Sequence, residues 1–403
     1  MSNLFQTITS GLATLKNFYA GPIVSQFNDE IAIYRAAEKG KEPWSGQQVI
    51  RPVKVRRNQG IGALAEAGNL PSIGRQTTAQ AIIANKSNYL RFGLTAQMIK
   101  ASANDKGSFI RAVSFEMSEG MNDLKSDVNR QLAWDGSGDL ALVAANATSS
   151  SSITVSGRES SEDGNKFLDV GMVIDILSSS TGLAVASGIE ITALSGTSTA
   201  TLTLSAPVTV SANDIVIRAG SSGQEIQGLL VSLDGATSSI YNIDRSTYPS
   251  FQGNVVNRGG GQLTLDSMQQ AFNEARRRGG LKLDALYTDF DSERFYVKLL
   301  TADKRYSNTV EGDGGFSRQG QKYLDFNGLP VVPDKDMSRR MFFLNQESWK
   351  KYVLAELEWA NETGSELIAQ TGSDTFEVRL RLFANLFCEK PSANAALRNY
   401  ISP

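Results

Sequence analysis

Residues 107–134 decide the fold, and their sequence is GSFIRAVSFEMSEGMNDLKSDVNRQLAW. Apolar residues recur in this stretch at steps of three and four: Ile110, Val113, Met117, Met121, Leu124, Val128 and Leu132. This spacing places them on one face of an α-helix. Such a helix spans about 40 Å at a rise of about 1.5 Å per residue, which exceeds the usual length of a globular helix. The sequence therefore predicts a long strut that packs one narrow face on a sheet.

The other side of this helix is predicted to meet solvent or a neighbouring copy of the chain. Its positions are polar: Arg111, Glu119, Lys125, Asp127 and Arg130. Ser108 is suited to cap the start of the helix, and the pair Asp135–Gly136 is typical of its end. An ordinary core helix within one molecule is the alternative interpretation, but the flanking segments favour the strut.

The composition argues against several classes of protein. The chain has 403 residues and 41% apolar content, which suffices for two or more units with hydrophobic cores and is unlike a disordered chain. No apolar run is long enough to cross a bilayer, and residues 1–18 lack the basic leader of a secretory signal. The net charge of −2 provides no general attraction to nucleic acid or to an anionic membrane. We therefore expect no membrane partner.

One cysteine and no histidine limit the chemistry that the chain can perform. A single cysteine excludes an intrachain disulfide and a multi-cysteine metal site. Cys388 ends the apolar run LFANLFC, which favours a buried, unreactive thiol. The absence of histidine removes the commonest general base and metal ligand. We therefore expect no enzyme and no cofactor, and nominate no catalytic, cofactor-binding or metal residue.

The chain before the long helix is predicted to form an arm and an extended hairpin. Residues 1–48 are interpreted as the arm, with one modest helix within 23–40. Residues 49–58, VIRPVKVRRN, alternate apolar and basic side chains as a half-exposed strand does. Residues 88–102 are predicted to be the return strand, and the glycine-rich segment 59–81 between them is predicted to be a turn-rich tip. A long isolated hairpin needs another surface to lie on, and a neighbouring subunit is the expected one.

After the long helix the composition changes to serine, threonine, alanine, glycine and valine over residues 137–222. Short alternating runs with glycine, serine and asparagine separators predict strands at 152–157, 166–179, 188–196, 199–211 and 213–220. We interpret this segment as an inserted, small antiparallel barrel or sandwich that projects from the main body. A glycosylated stalk is the alternative for such a composition, and the strand alternation argues against it.

The remaining residues are predicted to mix helices and strands. Residues 263–280 predict a helix that buries Met268 and Phe272 and ends at two glycines. Residues 283–307 predict a strand followed by a helix, with a cap at Asp291 or Ser292. That helix is expected to continue to about Lys304.

The end of the chain, residues 374–401, is predicted to be a strand with one dry face. The side chains expected on the dry face are Phe376, Val378, Leu380 and Leu382. They alternate with Glu377, Arg379 and Arg381.

Few motifs suggest chemistry, and each has a simpler interpretation. Gly60–Ala65 fits a loose dinucleotide-binding pattern, but a turn-rich loop is favoured because no sufficient helix follows it. Asp289, Asp291 and Glu293 alternate as calcium ligands do, yet they lack the required glycine, so helix capping is the better explanation. Glu311 and Asp313 lie in a glycine-rich segment that is interpreted as a flexible loop. The basic clusters, Arg276–Arg278 and Lys54 with Arg56 and Arg57, are interpreted as partners in ion pairs between subunits or as a solvated face.

This order of segments resembles the major capsid proteins of tailed bacteriophages, which share the Hong Kong 97-type fold. The stretches that carry the resemblance are QGLLVSLDG (227–235), YNIDRSTYPSFQGN (241–254), LTLDSMQQAFNEARRRGG (263–280), ALYTDFDSERFYVKLLTADKRY (285–306) and NLFCEKPSANAALRNYI (385–401). The implied fold class is α+β with an inserted small antiparallel β domain. The implied divisions are an N-terminal arm (1–48), an extended loop (49–102), the spine helix of a peripheral domain (103–136), the inserted β domain (137–222), an axial domain with peripheral segments (223–373), and a peripheral return strand with the C-terminus (374–403).

The resemblance implies a protein that self-assembles into an icosahedral shell around viral double-stranded DNA. The implied partners are other copies in hexamers and pentamers, a separate scaffolding protein, a portal, packaged DNA bound without sequence specificity, and a decoration protein. The implied location is the virion, after assembly in the host cytoplasm. A β-rich phage tail or adhesin-type binding protein is the alternative, and a carboxylate-dependent hydrolase is a third hypothesis.

Overall fold

A computed structural model describes most of the chain after the N-terminal segment. The described residues are 32–40, 44, 46, 48–66, 68–97, 106–160, 162–235, 239–302, 310–311, 322–360, 368–369 and 372–403. Residues 23–31 of the predicted arm helix and the predicted positions Lys304 and Asp313 lie outside them, and so do the side chains of residues 106–116.

The elements below are numbered in chain order within the described residues. The α-helices are α1 (Ala32–Ala36), α2 (Lys106–Ala133), α3 (Leu229–Leu233), α4 (Leu265–Gly279) and α5 (Phe290–Ala302). The strands are β1 (Glu38–Lys39), β2 (Gln48–Arg56), β3 (Thr77–Ala84), β4 (Lys86–Thr95), β5 (Asp139–Val143), β6 (Ala147–Ser156), β7 (Val173–Leu177), β8 (Ala184–Ser195), β9 (Thr199–Val210), β10 (Ile215–Arg218), β11 (Ser239–Ile240), β12 (Ile243–Asp244), β13 (Asn254–Gln262), β14 (Ala285–Thr288), β15 (Val310–Glu311), β16 (Lys322–Tyr323), β17 (Asp325–Phe326), β18 (Leu329–Pro333), β19 (Arg340–Leu344), β20 (Trp349–Trp359), β21 (Ile368–Ala369), β22 (Thr375–Cys388) and β23 (Ala395–Ile401).

The long helix α2 has the extent that its apolar period predicts. Its apolar face is buried from the middle of the helix to its end, at Met117, Met121, Leu124, Val128 and Leu132. These side chains share one core with Val378, Leu380 and Leu382 of β22 and with Leu94 of β4. The helix therefore packs on the five-stranded sheet formed by β1, β20, β22, β21 and β4.

The predicted solvent face of α2 is wrong at two positions. Lys125 and Arg130 are each only 3% exposed. Arg130 is buried because the segment after the barrel returns alongside the end of α2 and brings Glu225 into an ion pair with it. Glu119 is exposed, as predicted. The helix ends at Ala133, and Gly136 beyond it has a left-handed φ of 82°, as the predicted stop requires.

The predicted return strand of the hairpin is also wrong. Strand β2 pairs with β3, from Gln48 opposite Ala84 to Arg56 opposite Thr77. Strand β4 instead pairs with β22 along its whole length. The physical reason is that the apolar face of β4 is needed in the core beneath α2, whereas the shorter β3 supplies the partner for β2.

Residues 139–218 form a closed antiparallel barrel, one of the two architectures that the sequence allowed. Its strand order is β10-β5-β6-β9-β8-β7, and β10 also pairs with β7 to close it. Its interior is a separate core of aliphatic side chains, including Ile153, Ile174, Ile191 and Leu202. Strand β5, which follows α2 after only a short turn, was not predicted from the sequence.

A six-stranded sheet, ordered β13-β23-β19-β14-β18-β17, forms the rest of the body. Helix α4 packs on it through Met268 and Phe272, as predicted. Thr264 caps its start by accepting a hydrogen bond from the Ser267 nitrogen, and Gly280 ends it with φ 65°. The predicted cap of α5 is wrong, because Asp289 lies directly before the helix and accepts the hydrogen bond from the Ser292 nitrogen.

The C-terminal residues contribute to two different sheets. Strand β22 buries Val378, Leu380 and Leu382, which confirms most of the predicted dry face. Glu377, which was assigned to the opposite face, is buried as well. Strand β23 pairs with β13 and β19 in the six-stranded sheet and ties the end of the chain to that sheet.

Removing the end of the apolar stripe tests the role of α2. Leu132→Ala should lower the free energy of unfolding by about 2–5 kcal/mol, because Leu132 is fully buried. Leu354→Ala is the matched control, since Leu354 is 48% exposed on β20, and it should change stability by no more than about 0.5 kcal/mol. Denaturant unfolding measures the loss in the free energy of unfolding for each variant. Equal losses for the two variants would contradict the packing of α2.

Candidate assembly interface

The base of the β2–β3 hairpin is anchored on its own chain. Its inward side chains, Val49, Val55, Ala81 and Ile83, are buried. They pack in one cluster with Val231, Ile240, Tyr241, Ile243, Phe251, Tyr352 and Phe387. The sequence predicts a hairpin with no surface to lie on within its own chain; for the base, that prediction is wrong.

Polar contacts fix the direction in which the hairpin leaves the body. The Ile82 nitrogen donates to the Tyr241 carbonyl at 2.8 Å. The Ser250 hydroxyl donates to the Val55 carbonyl at 2.5 Å. Arg51, on the same strand as Val55, forms an ion pair with Glu389 at 2.6 Å. The base is therefore held by both apolar packing and directional bonds.

Beyond this base, residues 57–66 and 68–76 form a tip that the described part of its own chain leaves uncovered. The tip carries large apolar side chains that are exposed: Ile61 at 84%, Leu64 at 48%, Leu70 at 87% and Ile73 at full exposure. Soluble monomers rarely present such a group of apolar side chains on one protruding segment. The tip is therefore suited to contact another molecule.

Glycines keep the tip narrow. A Cβ atom on Gly74 would collide with the backbone nitrogen of Gly60 and with the Asn58 side chain. The two sides of the tip can therefore approach only because neither glycine has a side chain. Residues 60–65, the loose dinucleotide pattern, lie in this tip without the helix that a phosphate-binding turn requires.

The end of α2 is fixed by a buried stack of two arginines on one tryptophan. The guanidinium carbon of Arg158 lies 3.6 Å from the Trp134 ring centroid, and that of Arg340 lies 3.5 Å from it. At these distances one face of the ring has room for a single guanidinium, so the two arginines occupy opposite faces. Each contact contributes about 0.5–2 kcal/mol. The stack joins α2, the barrel and the six-stranded sheet at one point.

Carboxylates neutralise part of this positive charge. The Arg340 Nε donates to Glu159 Oε1 at 2.7 Å, and Arg398 lies 3.0 Å from the same oxygen. Arg158 donates to the Ser338 hydroxyl at 2.6 Å. Burial, together with the neighbouring Arg130 and Arg340, lowers the pKa of Arg158 to about 10. The guanidinium therefore remains charged at neutral pH, and the barrel is tied to the six-stranded sheet by ionic contacts.

The acidic residues considered as metal ligands have structural roles. Asp289 caps α5, and burial raises its pKa. Asp291 pairs with Arg294 at 2.9 Å and with Arg339 at 2.5 Å. Glu293 lies in the first turn of α5, and burial raises its pKa. Within the described ranges, no group of three or more acidic, histidine or cysteine side chains is arranged to hold a metal ion.

The predicted basic clusters make contacts within the chain. Arg278 donates to the Asn254 side chain at 2.8 Å, and Arg277 pairs with Glu274 at 2.6 Å. Arg56 donates to the Thr247 carbonyl at 3.2 Å. Cys388 is buried as predicted, and its burial raises the pKa of the thiol to about 12. In the part of the chain that the structure describes, no helix is both long and apolar enough to span a membrane.

Comparison with known proteins identifies the fold. No protein-family model and no curated protein sequence matches the chain. Among solved structures, the cyanophage A-1(L) capsid asymmetric unit matches with a TM-score of 0.55 and 12% identity, over 94% of this chain and 92% of that one. A native GTA particle capsid matches with a TM-score of 0.48 and 8% identity, over 92% and 91% of the two chains. The SrpI encapsulin complex from Synechococcus elongatus PCC 7942 matches with a TM-score of 0.43 and 10% identity, over 91% and 86%.

The cyanophage match carries the argument, and it covers nearly the whole of both chains. The chain is a mixed α+β protein with the fold of a phage capsid subunit. This confirms the resemblance that the order of segments indicated. At this level of identity the likeness concerns the fold alone.

Breaking the buried stack tests its role. Arg340→Met should lower the free energy of unfolding by about 3–5 kcal/mol, because Glu159 loses a partner inside the protein. Arg277→Met removes an arginine from an exposed pair and should cost no more than about 1 kcal/mol. Denaturant unfolding measures the free energy of unfolding of both variants. A decrease for Arg340→Met that is as small as the decrease for Arg277→Met would contradict the role of the stack.

Proposed function

We propose that this protein is a major capsid protein of a tailed bacteriophage, with the Hong Kong 97-type layout, and that it self-assembles into the icosahedral shell around the viral double-stranded DNA. The observation that carries the proposal is the hairpin: an anchored base and an uncovered apolar tip on a chain whose fold is that of a capsid subunit. The role is structural, and no enzymatic activity is proposed.

The tip supports assembly because its exposed side chains gain free energy only when something covers them. Burying one large aliphatic side chain contributes about 1.5–3 kcal/mol. Four such side chains at the tip provide a contact of moderate strength once the cost of association is subtracted. A closed shell of many copies repeats such a contact at every subunit, so each one need not be strong.

We assign the described elements to the parts of this layout. Residues 1–48 are the N-terminal arm, and 49–102 contain the extended loop, of which β2, β3 and the tip between them are the protruding part. Helix α2 is the spine of the peripheral domain, and β4, β20 and β22 form its sheet. The barrel within 137–222 is the inserted domain. The six-stranded sheet with α4 and α5 is the axial domain, and it includes β23 from the C-terminal segment 374–403.

The partners follow from this assignment. Copies of the chain are proposed to form hexamers and pentamers. A scaffolding protein and a portal are proposed to take part in assembly, and a decoration protein to bind the finished shell. DNA is proposed to be packed without specific contacts, which fits a net charge of −2. The proposed location is the virion, after assembly in the host cytoplasm.

The tail or adhesin alternative has less support. It assigns the binding role to the barrel, and it gives no role to the hairpin tip or to the long helix. The likeness to a capsid chain extends over 94% of this chain and is not confined to the barrel. We therefore retain the capsid proposal alone.

Electron microscopy of particles formed during co-expression with candidate scaffolding proteins tests the proposal. The parent chain should form closed spherical shells. The triple variant Ile61→Asp, Leu70→Asp and Ile73→Asp should keep the thermal midpoint of the parent, because these side chains are exposed, but it should not form shells.

The control for this experiment keeps the tip apolar with Ile61→Val, Leu70→Met and Ile73→Val, and it should form shells as the parent does. A parent chain that stays monomeric with every scaffold would overturn the proposed function. Normal shells from the aspartate variant would overturn the role of the tip.

A further inference from the structure

A groove lies where three parts of the chain meet: the second half of α2, the start of β4 and the segment that leaves the barrel after β10. Its volume is about 350 Å³, and it is open to solvent. The segment after β10 runs beside α2, where the Ile226 nitrogen donates a hydrogen bond to the Gln131 side chain at 3.1 Å. The groove therefore exists in this chain because the barrel is inserted directly after α2.

Carboxylates dominate the charged lining of the groove. Asp127 and Glu225 both accept hydrogen bonds from Arg130, and Arg218 lies 4.0 Å from Asp127. Asp123 is exposed at the groove and has no hydrogen-bond or ion-pair partner among the described residues. These three carboxylates face only two guanidinium groups, so the groove keeps a net negative charge.

Glu225, which lines the groove, has a buried oxygen without a partner. The residue is only 4% exposed, and its Oε2 accepts no hydrogen bond from any residue that the structure describes. A buried carboxylate oxygen without a donor is costly. The nearby Lys86 does not supply the donor, because its Nζ donates to the Gly223 carbonyl at 2.6 Å. The geometry at Glu225 thus favours a further N–H donor in the groove.

The rest of the lining suits the flat face and the apolar stem of an arginine side chain. The Tyr89 ring is 61% exposed and is held edge-on against Phe383, with the ring centroids 5.6 Å apart. Leu90 and Leu124 line the groove beside it. An aromatic face attracts a guanidinium, a carboxylate binds it through paired hydrogen bonds, and its methylene stem packs on apolar side chains. An arginine is therefore the side chain that this combination fits best.

Two arginines at the ends of the hairpin tip are suited to such a contact. Arg57 and Arg75 are exposed, and neither has an ion-pair partner within the described ranges. Residues 57–76 contain a single carboxylate, Glu66, so the tip carries a net positive charge. The two arginines cannot reach the groove of their own molecule, because β3, a strand of 8 residues and roughly 25 Å, lies between them and β4. The complementary groove must therefore belong to another copy.

We propose that Arg57 and Arg75 of one copy bind in this groove on a neighbouring copy. There the guanidinium groups contact Asp123 and Glu225 and cover the Tyr89 ring. The proposal rests on the proposed function, which makes the tip a contact between copies, and it names the surface that receives the tip. Because the two contacting surfaces differ, the contact is heterologous, and its repetition closes into a ring. Rings of this kind are the proposed hexamers and pentamers.

Charge reversal on both sides tests the pairing, in co-expression with the scaffolding protein that gives shells of the parent chain. Asp123→Arg brings like charges together and should lower the yield of shells at least about tenfold. The double variant Arg57→Glu, Arg75→Glu should lower the yield to a similar extent. The chain with all three substitutions restores opposite charges and should return to within about twofold of the parent yield. Glu119→Arg, exposed one turn earlier on α2 and outside the groove, is the matched control and should assemble as the parent does.

The thermal midpoints of these variants should equal that of the parent, because all three positions are exposed. If the parent forms shells and either reversed chain forms them equally well, the pairing is overturned and the proposed function stands. A triple variant that stays deficient also overturns the pairing. If the parent forms no shells, the proposed function fails, and sedimentation of the soluble chain decides the pairing. The pairing then predicts oligomers that Asp123→Arg dissociates, and a monomeric parent overturns it.

Discussion

The constraint on which the structure depends is the uncovered apolar tip of the hairpin. Its side chains Ile61, Leu70 and Ile73 are at least 84% exposed, although large aliphatic side chains of this kind usually lie in a hydrophobic core. The base of the same hairpin is buried on its own chain, so the tip is presented in a fixed direction. On the proposed function, another copy of the chain covers this surface. A contact of this size is moderate in strength, which allows a many-subunit assembly to form without locking in errors.

A protruding tip is useful only if the body that carries it is rigid. The apolar stripe of α2 provides one part of that rigidity by packing on the sheet that contains β22. The stack of Arg158 and Arg340 on Trp134 provides another, because it fixes the end of α2 to both the barrel and the six-stranded sheet. Burying several charges is costly, and the carboxylate of Glu159 offsets that cost by contacting two arginines. The stack thus links the barrel to the core that α2 already shares with both sheets.

The sequence predicts those parts of the fold that follow from local periodicity. The helix over 107–134 and the barrel strands are of this kind, since a single strand or helix face shows the pattern. The pairing of β4 with β22 is not, because it joins residues almost three hundred positions apart that share no local pattern. The burial of Lys125 and Arg130 was missed for a similar reason: their partners come from distant segments, so their polarity suggests solvent. The glycine-rich tip was predicted as a loop, but its anchored base depends on contacts that only the fold reveals.

The most direct test of the central claim is a cryo-electron microscopy map of the assembled particle in which the chain can be traced. The account predicts that residues 59–75 lie against an adjacent copy, with Leu70 and Ile73 covered by that copy. A map in which the tip folds back on its own molecule and touches no neighbour would contradict the account.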